Sequence, residues 1–305
     1  MTSHEQPAAD RSPGPAGPLR VAFAGAPGSF AEDAVLAAYP QAQAVPVPMF
    51  GDVLAAVEAG AVAVGAVPIE NVVGGGVHEV YDLLLETEAA VVGEVIVPVR
   101  LCLAALPGER LDTIERVYSH IQALTQAERF LRSRGWTLLA ATNTAGAGRT
   151  IKERAEHGSA AVLSPRAAQI HGLAVLASDI QTERRNRTRF LLLAMPGTPA
   201  LPRPASAAPD GSRRSALAFS VRNEPGTLVR ALGVIANHAI NMTKLESRPS
   251  REGSWEYVFW VDLDADVCED TAAGASFLHD LRSVCVWVRV MGCYPRCLEP
   301  ATDGP

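Results

Sequence analysis

The sequence predicts an α/β fold with largely parallel sheets, followed by a separate, smaller βαββαβ unit. Three observations carry this expectation. Short apolar runs alternate with helix-periodic segments from about residue 19 to 195, as strands and helices do in α/β layers. A Pro/Ala/Ser-rich stretch, "PGTPALPRPASAAPDGSRR" at 196–214, cannot bury a core of its own and reads as a linker. Beyond it, at about 215–292, the order becomes strand, helix, strand, strand, helix, strand, the ferredoxin-like plan.

The first unit opens on "LRVAFAG", a strand, and after Gly28 the run Ser29-Phe30-Ala31-Glu32 forms a capping box for a helix. "AVAVGAVPI" is a buried strand. Val77, Val80, Tyr81, Leu84 and Leu85 then recur at the spacing of one helix face. The most apolar stretch, 91–106, is interrupted by Glu94, Pro98 and Arg100, so it reads as a strand pair and not a membrane span. Ser119-His120-Ile121-Gln122 is expected to cap a helix that Gly135 ends. "SAAVLS" leads into Ser164-Pro165, an N-cap and first-turn proline, and Gly172 closes that helix. In the second unit the strands are "SALAFSV", "NMTKLESR", "SWEYVFWVDLD" and "VCVWVRVMG", with helices from about Thr227 to His238 and around 271–282.

Composition narrows the function. With 305 residues, 48% hydrophobic and 20% charged, the chain is long enough for two domains with real cores. A net charge of −6 argues against nucleic acid as the main ligand. The four arginines between Arg184 and Arg189 suit a small anion better than a phosphate backbone. The five cysteines (Cys102, Cys268, Cys285, Cys293, Cys297) form no CxxC pair and are odd in number, so reduced thiols in a cytoplasmic protein are expected. A Cys293–Cys297 bridge or metal site is the alternative, with no His-rich partner nearby. Residues 1–18 lack the apolar run of a signal peptide and read as a disordered tail, and 293–305 as a C-terminal tail.

Four turns of the first unit share one construction, with small or polar residues between a strand end and a helix start. They are "GAPGSF" (25–30), "PIENVVGGG" (68–76), "YSHIQAL" (118–124) and "TNTAGAG" (142–148). In open α/β sheets such turns line the ligand crevice, and their free amides with the helix dipole favour anions. A small carboxylated substrate fits that arrangement. Gly74-Gly75-Gly76 lacks the GK[ST] ending of a P-loop. Glu70 and Asn71 read either as crevice-facing tips or as a structural turn. His120, in the first turn of its helix, suits a neutral hydrogen-bonding role better than proton transfer. The second unit offers no acid/base pair or metal cluster, so ligand binding or dimerisation is expected there.

Taken in order, "GAPGSFAEDA", "VPIENVVGGGVHEVYDLL", "SHIQALTQAERFL", "NTAGA" and "NRTRF" resemble the motifs of the prephenate dehydratase family. "NEPGTL" (223–228) and "LESRP" (245–249) resemble the phenylalanine-binding ACT domain that follows in these enzymes. The resemblance spans about 20–295. It implies two lobes like those of a periplasmic binding protein, the second at about 100–180, with the active site between them. The implied reaction is loss of water and CO2 from prephenate to give phenylpyruvate, without metal or other cofactor, in L-phenylalanine biosynthesis.

The family's essential threonine maps onto Thr188. Gly28, Ser29, Asn71, Ser119, Gln122, Thr144, Arg189 and Phe190 are the expected substrate-binding residues, with the backbone at Gly28-Ser29 as a carboxylate cradle. Arg189 either grips a substrate carboxylate or pins the structure, because strand alternation sends it to the face opposite Thr188. Phenylalanine is the implied effector, at Asn223, Gly226, Leu228, Glu246, Ser247 and Arg248 between paired ACT domains, so a homodimer or homotetramer is expected. Two positions depart from the family pattern: Ile121 stands where proline is usual, and Val72 where serine is. "NVVGGGVHEVYDLLL" is nearer the plant arogenate dehydratase version, which keeps arogenate as an alternative substrate. A catalytically silent phenylalanine sensor is the non-enzymatic alternative.

Overall fold

The computed structural model describes residues 17–141, 144–199, 201–249 and 257–299. Most of the expected N-terminal tail, the start of the third ACT strand and the last residues of the C-terminal tail lie outside them.

The first lobe comprises β1 (Arg20–Ala24), α1 (Phe30–Ala38), β2 (Gln43–Val47), α2 (Phe50–Glu58), β3 (Val64–Asn71), β4 (Gly75–Gly76), α3 (His78–Glu86) and β5 (Ala90–Pro98). The second holds β6 (Cys102–Ala105), β7 (Arg116–Ser119), α4 (Ile121–Gln126), α5 (Glu128–Arg132), β8 (Thr137–Ala140), α6 (Thr144–Arg154), β9 (Ser159–Leu163), α7 (Pro165–His171) and β10 (Ala174–Ala177). β11 (Arg187–Ala194) then returns to the first lobe and inserts between β3 and β5, in the order β2-β1-β3-β11-β5. The second sheet runs β10-β6-β9-β7-β8.

Both sheets are mixed, not largely parallel. β11 is antiparallel to β3 and β5, and β6 is antiparallel to β9 and β10. The double crossing between lobes places one reversed strand in each sheet: β11, which returns to the first lobe, and β6, which enters the second. Backbone bonds tie the two crossings together, Val99 N to Asn186 O at 2.9 Å and Ile180 N to Leu101 O at 3.0 Å.

Local chemistry explains most element ends. Ser29 caps α1 by accepting the Glu32 amide, Ser164 caps α7 ahead of Pro165, and Gly172 ends α7 in the left-handed conformation. The helix expected after Ser119 differs. Its N-cap is His120, whose Nδ1 accepts the Gln122 amide at 3.3 Å, and it breaks at Ala127 into α4 and α5. Ser119 remains the last residue of β7.

The third unit is β12 (Arg213–Ser220), α8 (Thr227–Asn237), β13 (Met242–Pro249), β14 (Tyr257–Leu263), α9 (Ala272–Val284) and β15 (Trp287–Pro295), an antiparallel sheet in the order β13-β14-β12-β15. One face packs on α8 and α9 through Phe219, Val261, Phe277 and Leu281. The other face joins the first lobe in a single core: Ala218, Trp260, Met291 and Tyr294 cluster with Tyr81, Val91, Leu191 and Leu193. Tyr81 and Trp260 meet edge to face, ring centroids 5.2 Å apart. β15 approaches β5 so closely that a Cβ on Gly292 would fall on the Val91 carbonyl.

The 196–214 stretch is not a free linker. Ala205 N donates to Ala38 O at 2.8 Å, Ser206 Oγ to Glu94 O at 3.3 Å, and Leu298 N to Ser206 O at 2.9 Å, laying it along the first lobe. Nor does a tail begin at 293, since β15 continues to Pro295 and Cys297 pairs with Ala207. The all-reduced cysteine expectation is also corrected. Cys268 and Cys293 form a disulfide that ties the loop after β14 to β15, leaving Cys102, Cys285 and Cys297 free. Among the described residues no helix is long and apolar enough to cross a membrane.

Candidate active site

The cleft between the lobes is built on the end of the β3–β11 ladder. Here Thr188 pairs with Asn71 and Arg189 with Glu70, but Phe190 pairs with Pro68, leaving Ile69 as an unpaired bulge residue. The bulge re-aims the last two pairs of the ladder, a use common beside active sites. Asn71 and Thr188 then share one side, and Glu70 and Arg189 share another.

Asn71 is the organiser. Its Oδ1 accepts the Val73 amide at 3.0 Å and the Gly74 amide at 2.8 Å, which fixes which end of the side chain carries the donors. Nδ2 then reaches Thr188 Oγ1 at 2.9 Å, Asn186 Oδ1 at 2.8 Å and Arg187 O at 3.0 Å. Because Thr188 Oγ1 accepts from Asn71, its own proton is left for another acceptor. Thr188 is half-buried, and Asn71 is only 8% exposed. The half of "PIENVVGGG" that serine would have occupied is Val72, which is exposed, so the missing hydroxyl leaves the Asn71–Thr188 pair intact.

From the second lobe, Gln122 reaches over: a Cβ on Gly74 would lie 2.8 Å from Gln122 Nε2 and 3.4 Å from Asn71 Oδ1. Gly74 therefore provides the space in which the two lobes' amides meet. Thr144 begins α6, half-buried. Val72, Val73 and Ile121 are exposed apolar residues beside these groups.

Five expected site residues are placed elsewhere. Ser119 is fully buried and donates to Val162 O at 2.6 Å, bracing β7 on β9. Phe190 is buried among Val21, Phe23 and Leu192 in the first lobe's core. The amide of Gly28 is taken by Glu32 Oε2 at 2.7 Å, and Ser29 Oγ is occupied as a cap, so the cradle is filled by the protein's own carboxylate. Gly28 instead serves the lobe contact: Ser164 Oγ donates to its carbonyl at 2.6 Å, and an added Cβ would lie 2.7 Å from Ala167 Cα. Arg166 of α7 reaches across to Glu32 at 3.1 Å and Asp33 at 3.6 Å. Burial outweighs Arg166 and raises the Asp33 pKa to about 6.

Arg189, the fifth, turns away from the cleft. Its Nε meets Glu94 at 2.7 Å, Nη2 donates to Tyr294 Oη at 3.0 Å, and Nη1 pairs with Asp262 of β14. Burial works against its charge, but Asp262, Tyr294 and Glu94 outweigh it and hold the guanidinium well above its usual pKa. Arg189 is thus a clamp between the first lobe and the C-terminal unit. Asn186 is the site residue that sequence reasoning missed. It lies in "NRTRF" and is 1% exposed, holding Asn71 through Oδ1 while its Nδ2 has no partner.

The expected effector residues also divide. Gly226, in the left-handed conformation, opens α8, with Asn223 exposed before it and Leu228, half-buried on α8, packed against the core beneath the helix. On β13, alternation sends Glu246 and Arg248 toward the first lobe, where they pair with His78 at 3.7 Å and Asp82 at 3.3 Å, and leaves Ser247 exposed on the other face.

Two α/β lobes joined by a double crossing, polar groups where they meet and a βαββαβ unit docked on the first lobe place the chain in the class of two-lobed α/β proteins with an appended ferredoxin-like domain. Comparison with known proteins gives the family. The prephenate dehydratase pattern matches residues 21–198 and the ACT domain pattern residues 215–266. Arogenate dehydratase/prephenate dehydratase 1 of Arabidopsis thaliana, chloroplastic, is 38% identical over 291 residues, covering 91% of this chain and 72% of that protein. Among solved structures, a prephenate dehydratase from Arthrobacter aurescens in complex with L-Phe aligns with TM-score 0.79 and 28% identity, covering 91% of this chain and 90% of that one. GqqA, described as a novel type of quorum quenching acylase, aligns with TM-score 0.80 and 29% identity over 91% of this chain and 98% of its own. The chain belongs to the prephenate dehydratase family of hydro-lyases and carries an ACT domain.

Proposed function

We propose that the chain converts prephenate to phenylpyruvate in L-phenylalanine biosynthesis, with Thr188 as the catalytic residue. In this reaction the ring C–C bond to the carboxylate breaks as CO2 leaves. Its electron pair enters the ring, and the C–O bond at the opposite carbon breaks with one proton taken up to give water. Aromatisation supplies the driving force, so the protein's part is to hold the dianion and assist the leaving hydroxyl. The observation that carries the reading is the Asn71–Thr188 bond, which occupies Thr188 as an acceptor and leaves its O–H to donate to the departing oxygen. Gln122, Asn71 and Thr144 are the polar liners, and no metal or organic cofactor enters the scheme.

Arogenate is the second reading, supported by the curated plant relatives. Phenylalanine is proposed as the effector of the ACT domain. It acts only as far as it binds one arrangement of the enzyme better than the other. A homodimer or homotetramer joined through the ACT domains is supported by exposed Val229, Leu245 and Val286 on that unit. A cytoplasmic setting is proposed with it. The test is incubation of the purified protein with prephenate and, separately, arogenate, with controls for the spontaneous acid-promoted conversion. Phenylpyruvate from prephenate supports the first reading and phenylalanine from arogenate the second. Neither product from either substrate refutes both and favours the sensor.

A further inference from the structure

Four charges form a square across the boundary between the first lobe and the ACT domain. On the catalytic side Glu70 and Arg189 are cross-strand partners in the β3–β11 ladder, their side chains 4.0 Å apart. On the ACT side Lys244 and Asp262 are cross-strand partners in the β13–β14 ladder. The two pairs meet face to face, Lys244 Nζ on Glu70 and Arg189 Nη1 on Asp262, so that each charge has opposite charges on both sides. All four side chains are at least two-thirds buried or nearly so, from 8% exposed at Arg189 to 36% at Glu70.

The square lies one residue from the proposed catalytic pair. Glu70 precedes Asn71 and Arg189 follows Thr188, and strand alternation makes these neighbouring pairs point apart. At its other corner, Lys244 begins the segment Leu245-Glu246-Ser247-Arg248-Pro249 on the same strand. A shift of β13 along its axis therefore drags Lys244, and with it Glu70 and the Asn71–Thr188 hydrogen bond. Burial lowers the Lys244 pKa, and Asp262 and Glu246 offset only part of that shift.

We propose that Lys244 and Glu70 are positioning residues: from the ACT strand they set the geometry of Asn71 and Thr188, and they are the point at which the state of β13 is felt in the cleft. The catalytic part of this inference rests on the function proposed above. The test uses the full chain with Lys244→Met and Lys244→Arg. Lys244→Met is expected to lower kcat about tenfold, since small misplacements near reacting groups cost one to two orders of magnitude, with KM changed less than threefold. Lys244→Arg, keeping the cation, restores most of kcat. An isolated salt bridge would be rescued by the exchange Glu70→Lys with Lys244→Glu. The square predicts no rescue, because the exchange sets a second cation beside Arg189 and a second carboxylate beside Asp262.

Backbone hydrogen exchange gives a readout that needs no substrate. The Val72, Val73 and Gly74 amides, held by Arg187 O and Asn71 Oδ1, are expected to exchange at least about tenfold faster in Lys244→Met, while amides of β6 and β9 are unchanged. If the wild type turns over neither substrate, the proposed function falls, and the exchange measurement still decides the linkage. Unchanged exchange at 72–74 in Lys244→Met overturns the inference, as does unchanged kcat in an active enzyme.

Discussion

Replacing Arg189 by methionine tests whether it is a clamp or a substrate ligand. The side chain is 8% exposed, and its three hydrogen-bond partners are similarly enclosed: Glu94 at 0%, Asp262 at 11%, and Tyr294 fully buried. Methionine keeps most of the volume but removes every donor. Glu94 retains Arg214 at 3.1 Å and the Cys297 amide at 3.0 Å, so its charge stays compensated. Asp262 loses its main counter-charge, and Tyr294 loses the partner of its hydroxyl. Breaking one side of a buried ion pair costs about 3–5 kcal/mol, and that range is the expected loss of stability here.

The assay is equilibrium unfolding in urea followed by tryptophan fluorescence, with Trp260 at the domain boundary as reporter. Arg189→Met should show the Trp260 environment changing at lower urea than the remaining signal, and Arg189→Lys an intermediate loss. A methionine variant within about 1 kcal/mol of wild type, yet without activity, would refute the clamp and return Arg189 to the substrate.

Thr188→Ala should fold normally and turn over at least ~100-fold more slowly, the cost of one donor to a developing negative charge, and Asn71→Ala should lose comparable activity; near-normal steady-state rates for Thr188→Ala would remove it from the mechanism. Asp33, with a folded pKa of about 6 against 3.8 unfolded, binds more protons in the native state between those values. Stability should therefore fall as pH rises from about 4 to 6, by at most about 3 kcal/mol, and level off above. Asp33→Asn should remove that component, as urea midpoints of the two proteins across this window will show. Reducing Cys268–Cys293, separated by 25 residues, should lower stability by about 3 kcal/mol in urea unfolding, and Cys268→Ser should make the protein insensitive to reductant.

What the sequence revealed and what it hid follow a physical division. The α7 boundaries were legible because Ser164, Pro165 and Gly172 act through their own backbone, and the ACT element order because apolar periodicity is local. The mixed sheets were not, since β11 finds β3 more than a hundred residues away. Thr188 stood out through its place in an ordered set of motifs. Phe190 shares the Thr188 face of β11 by alternation, but one step further along the strand that face meets Val21 and Phe23, a packing that no local pattern reveals. Arg189 showed its chemistry but not its partners, which lie at Glu94, Asp262 and Tyr294. Gly28 carried a turn signal, yet nothing nearby told that Glu32 would occupy its amide.

The core shared by Trp260, Met291 and Tyr294 with Val91, Leu191 and Leu193, sealed where Gly292 meets the Val91 backbone, bears on how such a protein can be altered. A chain cut at residue 195 would lay that apolar surface open to water and is expected to aggregate. The ACT domain can therefore be altered by substitutions on its outer face, and not by amputation.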